Sequence, residues 1–228
     1  MTFYISNPKL DDQITEIRRK IRLSMNGIVS EKMTASGIIY KKNYGVTIPR
    51  IKEIAQTYIP NHDLAQRLWL LQIRETMIMA TLLEPVDKFT PELAQEWVES
   101  FHQIEIIEQA CMNLFCKLPF ATTLATRWIY SEKVWIQITG CILAARIPIK
   151  FNQDEIIEFV KKTINLSTTE EMHLYKSIAL CLSRFCRRNN KTATYIQKEI
   201  DKFAESSIIG HQFICNEVKQ EILFLDIL

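Results

Sequence analysis

Basic side chains recur at positions where they could bind the phosphates of a nucleic acid. Arg184, Arg187 and Arg188 are spaced by three and four residues in a helical pattern, which predicts that they share one helix face. Other basic residues lie at predicted turns or beside helix ends: Lys41, Lys42, Arg146 and Lys191. Each could neutralise one DNA phosphate. Because cations near a helix C-terminus also favour the helix dipole, a purely structural role for the arginine cluster stays open.

The net charge of +2 hides an uneven distribution along the 228 residues. Residues 1–60 and 121–192 each carry a net charge of +5, whereas residues 61–120 carry −5 and residues 193–228 carry −3. Two basic blocks could meet on one surface and attract a polyanion. Chance variation between solvated helix faces is the other interpretation.

Glu108 is the candidate acid of the chain. It follows Ile104 by one helical turn and is in line with Cys111 and Phe115, so a half-buried carboxylate beside an apolar stripe is predicted. Burial raises the pKa of a carboxylate and is rare without a purpose. With Glu105 close by, Glu108 could instead mark the polar edge of an amphipathic helix.

No cofactor or metal is expected. The six cysteines fall within apolar helical patterns, and their spacings suit neither a redox motif nor a zinc site, which favours buried thiols. The four histidines are scattered, and no glycine-rich phosphate loop is present, so a nucleotide cofactor has no support. Neither a signal peptide nor an apolar run of about 18 residues occurs, which predicts a cytoplasmic protein without a membrane partner.

Helical periodicity dominates the chain, which has only five glycines and seven prolines. About a dozen helices are predicted, paired at a period of roughly 35–45 residues, which is typical of HEAT or armadillo arrays. The prediction is an all-α superhelix of about six helix pairs, with 1–228 as a single domain and a compact irregular bundle as the alternative. The four tryptophans are expected in the core, with Trp135 the least certain.

The segment around Gly45 joins a basic, aromatic turn to a helix started by Pro49. Gly45 can adopt a positive φ or allow another backbone to approach closely, and proline suits a first helical position. The junction could aim Lys41 and Lys42 at a ligand, or it could simply be a well-formed helix start.

Three groups of motifs resemble the DNA alkylation repair family of HEAT-like DNA glycosylases, mainly over residues 25–150. They are Tyr44-Gly45-Val46-x-x-Pro49; His62-Asp63-Leu64-Ala65 with Leu68-Trp69 and Ile73-Arg74-Glu75; and Glu96-Trp97-Val98 with Glu108 to Phe115 and Lys117-x-Pro119-Phe120-Ala121. The resemblance implies an all-α solenoid that grips duplex DNA in a basic groove. It also implies release of purines alkylated at ring nitrogens, with an anionic carboxylate stabilising positive charge on the deoxyribose.

Carried over by position, the resemblance assigns the catalytic carboxylate to Glu108. Ile104 and Leu180 stand where the family has tryptophans, and Ile138 stands where it has an arginine. The expected function is therefore DNA binding, with an eroded site for excising N-alkylated purines. A binder of damaged or branched DNA that reads shape and charge is a second hypothesis. The third is a scaffold whose groove holds a protein partner.

Overall fold

The computed structural model describes residues 7–225, and these residues are almost entirely helical. Thirteen α-helices lie in this range: α1 Pro8–Leu23, α2 Gly27–Ala35, α3 Ile48–Ala55, α4 His62–Leu70, α5 Arg74–Leu83, α6 Pro91–Glu99, α7 Ile104–Asn113, α8 Ala121–Ile129, α9 Val134–Arg146, α10 Gln153–Leu166, α11 Met172–Cys186, α12 Asn190–Ile200 and α13 Ile209–Phe224. One isolated parallel bridge, between Lys42 and Ile73, is the only extended pairing in the described part of the chain. The all-α prediction is confirmed.

The chain divides into two compact units, one up to Thr90 and one from Pro91 onward. We describe each by itself, and the single domain over 1–228 stays a prediction.

Helix starts follow local capping chemistry. Asn61 accepts a hydrogen bond from the backbone N–H of Leu64, and Asn152 forms a capping box with Glu155 at the start of α10. At α11 the N-cap is Glu171, whose side chain accepts from the backbone N–H of His173.

A buried carboxylate organises the first unit. The Glu75 side chain is 0% exposed and accepts hydrogen bonds from the backbone N–H groups of Tyr44 (3.1 and 3.2 Å) and Val46 (3.2 Å). The Arg74 guanidinium lies 3.1 Å from the same carboxylate and donates to the Val46 carbonyl at 2.8 Å. A charge removed from water needs such partners, so this ion pair fixes the loop that precedes α3.

Gly45 lets this loop touch the start of α2. Its φ is +69°, and a Cβ at this position would lie 2.1 Å from the carbonyl oxygen of Asn26. The Asn26 N–H donates to the Tyr44 carbonyl at 2.8 Å, and the Ser30 hydroxyl donates to the Asn43 carbonyl at 3.1 Å. Since α2 buries none of its residues, these polar contacts hold it in place, and the predicted close approach at Gly45 is confirmed.

The second unit is built from two rows of helices. Helices α7, α9, α11 and α13 form one row, each packed on the next, and α8, α10 and α12 form another. Gly140 allows α9 to pack against α8, because a Cβ there would lie 2.9 Å from the Ala125 carbonyl oxygen. Two rows of this kind are the expected build of a helical solenoid.

Aromatic side chains fill the second unit. Phe151, Phe159 and Phe185 meet edge to face with ring centroids 5.4 to 5.7 Å apart. Trp97 and Trp128 are buried as predicted, as is Trp69 in the first unit. Trp135 is only half-buried, so its placement in the core is wrong.

The cysteines are free thiols, as predicted. Five of them are buried, and Cys116 is half-buried. Burial raises the pKa of Cys141 and of Cys186 to about 12. Among the described residues, no group of three histidine, cysteine or acidic side chains is placed to hold a metal ion. Over the same range, the helices are too short or too polar to cross a membrane.

Replacing Glu75 with glutamine tests the buried carboxylate. The variant leaves the Arg74 charge without its anion and two backbone donors with a weaker acceptor, so the free energy of unfolding should fall by about 3 kcal/mol. Chemical denaturation followed by circular dichroism measures this change. As a control, Glu53→Gln breaks an exposed pair with Arg50, and its effect should stay below about 1 kcal/mol. Equal effects of the two substitutions would contradict the role of Glu75.

Candidate nucleic-acid interface

Helices α9, α11 and α13 run in the same direction, as ring contacts near their starts show. The rings of Trp135 and His173 lie 5.6 Å apart, and those of Tyr175 and Phe213 lie 5.3 Å apart. Near the opposite end, Arg187 on α11 pairs with Glu221 on α13. The C-terminal ends of the three helices therefore lie together.

One face of α11 presents mainly cations. Lys176, Leu180, Arg184 and Arg187 are spaced by four, four and three residues, so they follow one another along a single face of the helix. Leu180 is 40% exposed, whereas Ile178 and Leu182 are fully buried on the side that packs into the unit. We call these four residues the α11 stripe.

A groove of about 470 Å³ separates the α11 stripe from the end of α9. Arg146, Arg184 and Arg187 line it together with Ala145, Pro148 and Leu180, and no carboxylate is among these lining residues. Three guanidinium groups around one groove repel one another, and an anionic ligand would relieve that repulsion. Planar guanidinium forks bind phosphate oxygens in pairs, so the groove has the chemistry of a phosphate site.

A second groove, of about 410 Å³, lies on the other side of the stripe and is of mixed charge. Lys176, Arg184 and Arg187 line it from α11, but Glu217 and Glu221 line it from α13. The two carboxylates make this side less favourable for a phosphate.

Arg187 is held by Glu221 in a two-point ion pair. Its Nε donates to one carboxylate oxygen at 2.5 Å and its Nη2 donates to the other at 3.0 Å. This contact raises the pKa of Arg187. In contrast, within the described range the side chains of Arg146 and Arg184 form no hydrogen bond or ion pair.

Unlike Arg184 and Arg187, Arg188 lines neither groove. It is half-buried, and its Nη1 donates to the Pro148 carbonyl at 2.6 Å and also to the Phe151 carbonyl. Arg188 thereby fastens α11 to the segment between α9 and α10. A guanidinium that donates to two backbone carbonyls has fewer N–H groups available for a phosphate.

The remaining predicted lysines lie elsewhere. Lys41 and Lys42 are exposed in the loop of the first unit that Glu75 fixes, and Lys42 Nζ lies 5.0 Å from the centroid of the Tyr44 ring. Lys191 is exposed in the first turn of α12 and lines neither groove.

Glu108 is exposed on α7, so the prediction of a half-buried carboxylate is wrong. The polar-edge interpretation describes its position correctly. The pKa of the buried Cys111 thiol is sensitive to both Glu108 and Arg146. Burial is the main cause that raises this pKa, Arg146 lowers it, and Glu108 raises it further. Glu108 and Arg146 are therefore both close enough to the same thiol to influence it electrostatically.

The other positions carried over from the resemblance differ in exposure. Ile138 is fully buried, Ile104 is half-buried, and Leu180 belongs to the α11 stripe. Of the three, only Leu180 lines the groove that carries the arginines.

Sequence reasoning missed Lys176, Glu221 and the pair of Trp135 with His173. Lys176 precedes Arg184 by eight residues, so its place on the same face could have been inferred from the spacing. Trp135 precedes Arg146 by eleven residues, or three helical turns, which places both on one face of α9. Glu221 lies 34 residues from Arg187 along the chain and has no local signal.

Comparisons with known proteins identify one family and, separately, one fold. The family model described as "DNA alkylation repair enzyme" matches residues 17–208. A solved structure described as "A new family of proteins related to the HEAT-like repeat DNA glycosylases with affinity for branched DNA structures" matches with a TM-score of 0.71 and 14% identity, covering 81% of this chain and 82% of that one. This match confirms the predicted HEAT-like solenoid. Curated protein sequences gave no match.

A designed armadillo repeat protein also matches in part. It covers 76% of this chain and 92% of its own, with 12% identity and a TM-score of 0.38.

Arg188 and Arg184 should differ sharply in their effect on stability. Arg188→Ala removes hydrogen bonds to two carbonyl groups, so the free energy of unfolding should fall by about 2 kcal/mol. Arg184→Ala removes no such contact and should change it by less than about 0.5 kcal/mol. Denaturant titration of both variants measures the difference. A stable Arg188→Ala variant would contradict the anchoring role.

Proposed function

The chain belongs to the DNA alkylation repair enzyme family, and from this membership we propose that it binds duplex DNA through the groove between α9 and α11. One observation carries the proposal: Arg146, Arg184 and Arg187 converge on a groove without a lining carboxylate. Lys176 extends the same charge along α11. Since the chain as a whole carries only +2, this local concentration is more informative than the total charge.

The proposed contacts are to the DNA backbone. Guanidinium and ammonium groups bind phosphates of any sequence, and such contacts position a protein on DNA without reading its bases. The apolar lining residues of the groove are Ala145, Pro148 and Leu180, and the lining includes no aromatic ring on which a base could stack. This composition supports recognition of DNA by charge and shape. Damaged or branched duplexes, which offer unusual backbone shapes, are the proposed preferred forms.

Binding should be strongly sensitive to salt. Three phosphate contacts in this groove, from Arg146, Arg184 and Arg187, predict a slope of about −3 for the logarithm of the association constant against the logarithm of salt concentration. Anisotropy of a fluorescent duplex, titrated at several salt concentrations, measures this slope. Reversing Arg146 and Arg184 to glutamate should reduce its magnitude by about two and weaken binding at least about tenfold at low salt.

A matched control makes the same charge change on the other row of helices. Arg127→Glu with Lys161→Glu alters exposed residues of α8 and α10 that line neither groove, so affinity should change little. Arg188 is left intact because its replacement would test stability instead. Absence of binding by the unaltered protein even at low salt would contradict DNA binding, and it would favour a solenoid scaffold for a protein partner.

Excision of N-alkylated purines is the second candidate function, and the position of Glu108 favours it. Glu108 and Arg146 both influence the pKa of the buried Cys111 thiol, which supports a carboxylate in the same part of the second unit as Arg146. An exposed carboxylate is well solvated, so bound DNA must displace water before Glu108 can stabilise a cationic deoxyribose.

Glu108→Gln tests this second function. The substitution removes the negative charge and keeps the shape, so most of any release of 7-methylguanine from an alkylated duplex should be lost. Single-turnover release assays on both proteins measure the loss, and Glu105→Gln one turn earlier is the matched control. No release by the unaltered protein would exclude the activity, and release unaffected by Glu108→Gln would exclude this carboxylate.

A further inference from the structure

Arg187 stands at the border of the two grooves that flank α11. It lines the groove toward α9, which is purely cationic, and also the groove toward α13, which contains Glu217 and Glu221. Its side chain is 44% exposed, so an incoming ligand can reach it.

In the free protein, two N–H groups of the Arg187 guanidinium already have an acceptor. Two parallel hydrogen bonds from Nε and Nη2 end on the two oxygens of Glu221. A backbone phosphate offers the same arrangement, because two of its oxygens can accept from the two nitrogens of one guanidinium. The Glu221 carboxylate therefore occupies the place that a phosphate would take.

We propose that Glu221 is a built-in competitor for DNA: a backbone phosphate replaces it on Arg187, and the carboxylates of α13 keep the bound strand on the α9 side of α11. The proposal rests on the proposed DNA binding and specifies how one of its contacts is made. The phosphate groups of DNA are the ligand, and Arg187 changes partner when they bind.

The exposure of the pair makes such an exchange feasible. Water screens an ion pair in which one partner is nearly half exposed, so the pair is weak and can be broken. The Glu221 side chain is only 15% exposed, however, and losing Arg187 leaves its charge in a poorly hydrated place. This cost opposes DNA binding and lowers the affinity.

The charged residues on the two sides of α11 favour binding of the DNA strand on the α9 side. On that side a phosphate on Arg187 also meets Arg146 and Arg184, with Leu180 beneath them. On the α13 side it would face Glu217 as well as Glu221. Like charges at this range repel the ligand, so the two carboxylates act as a barrier along one edge of the binding face.

Removing the competitor should strengthen binding. Glu221→Gln frees Arg187 and removes a repelling charge, so the dissociation constant at low salt should fall about threefold. The salt slope should stay the same, because a phosphate contacts Arg187 in both proteins and only the competing carboxylate is removed. The control Glu205→Gln makes the same charge change at an exposed residue that lines neither groove and should leave both quantities unchanged.

A double-mutant cycle separates partner exchange from a general charge effect. In the Arg187→Ala background, Glu221→Gln should give a clearly smaller gain, because only the direct repulsion between the carboxylate and the DNA is then removed. A gain of the same size without Arg187, or one that Glu205→Gln reproduces, would overturn the inference. The thermal melt of Glu221→Gln should stay within about 3 °C of the unaltered protein, since the charge left unpaired is that of the more exposed Arg187.

Failure of this inference is distinguishable from failure of the proposed function. If the unaltered protein binds DNA and Glu221→Gln binds no tighter, only the competitor role is wrong. If neither binds at the lowest salt, DNA binding itself is wrong, and the competitor role falls with it.

Discussion

The parallel packing of α9, α11 and α13 is the constraint on which the candidate interface depends. Helices that run in the same direction bring their C-terminal ends together, and each such end carries partial negative charge from unpaired carbonyl groups. Arg146 ends α9, while Arg184 and Arg187 lie at the end of α11. The helix dipoles therefore offset part of the repulsion among these arginines. The fold can hold cations close together before any ligand arrives, which favours rapid capture of a polyanion.

Two ion pairs of this protein differ in burial, and therefore in how easily they can be broken. Arg74 and Glu75 are almost fully buried, and both also form hydrogen bonds with the backbone of residues 44 to 46. Such a pair cannot open without a large cost, so it suits a fixed loop. Arg187 and Glu221 lie nearer to solvent, where the same chemistry is weak enough to be exchanged. The difference lies in access to water rather than in residue type.

Local signals allowed much of the fold to be predicted, but little of the site. Asn61 and Asn152 each cap a helix through a contact three residues away, so roles of this kind depend only on neighbouring residues. Arg188 bonds to carbonyls about 40 residues away, and Arg187 to a carboxylate 34 residues away. Spacing along a helix cannot reveal such partners. Glu108 was misplaced because an apolar stripe and its polar edge differ by a single residue position.

The buried cysteines have a consequence for a protein of this family. Alkylating electrophiles react with thiolates far faster than with protonated thiols, and a thiol whose pKa is near 12 is almost never deprotonated at neutral pH. Only Cys116 is partly accessible, and its Sγ donates to the Met112 carbonyl at 3.2 Å. The reagents that damage DNA thus find few reactive thiolates on this chain. The same burial that packs the core also protects the protein from the chemistry that creates the lesions its family repairs.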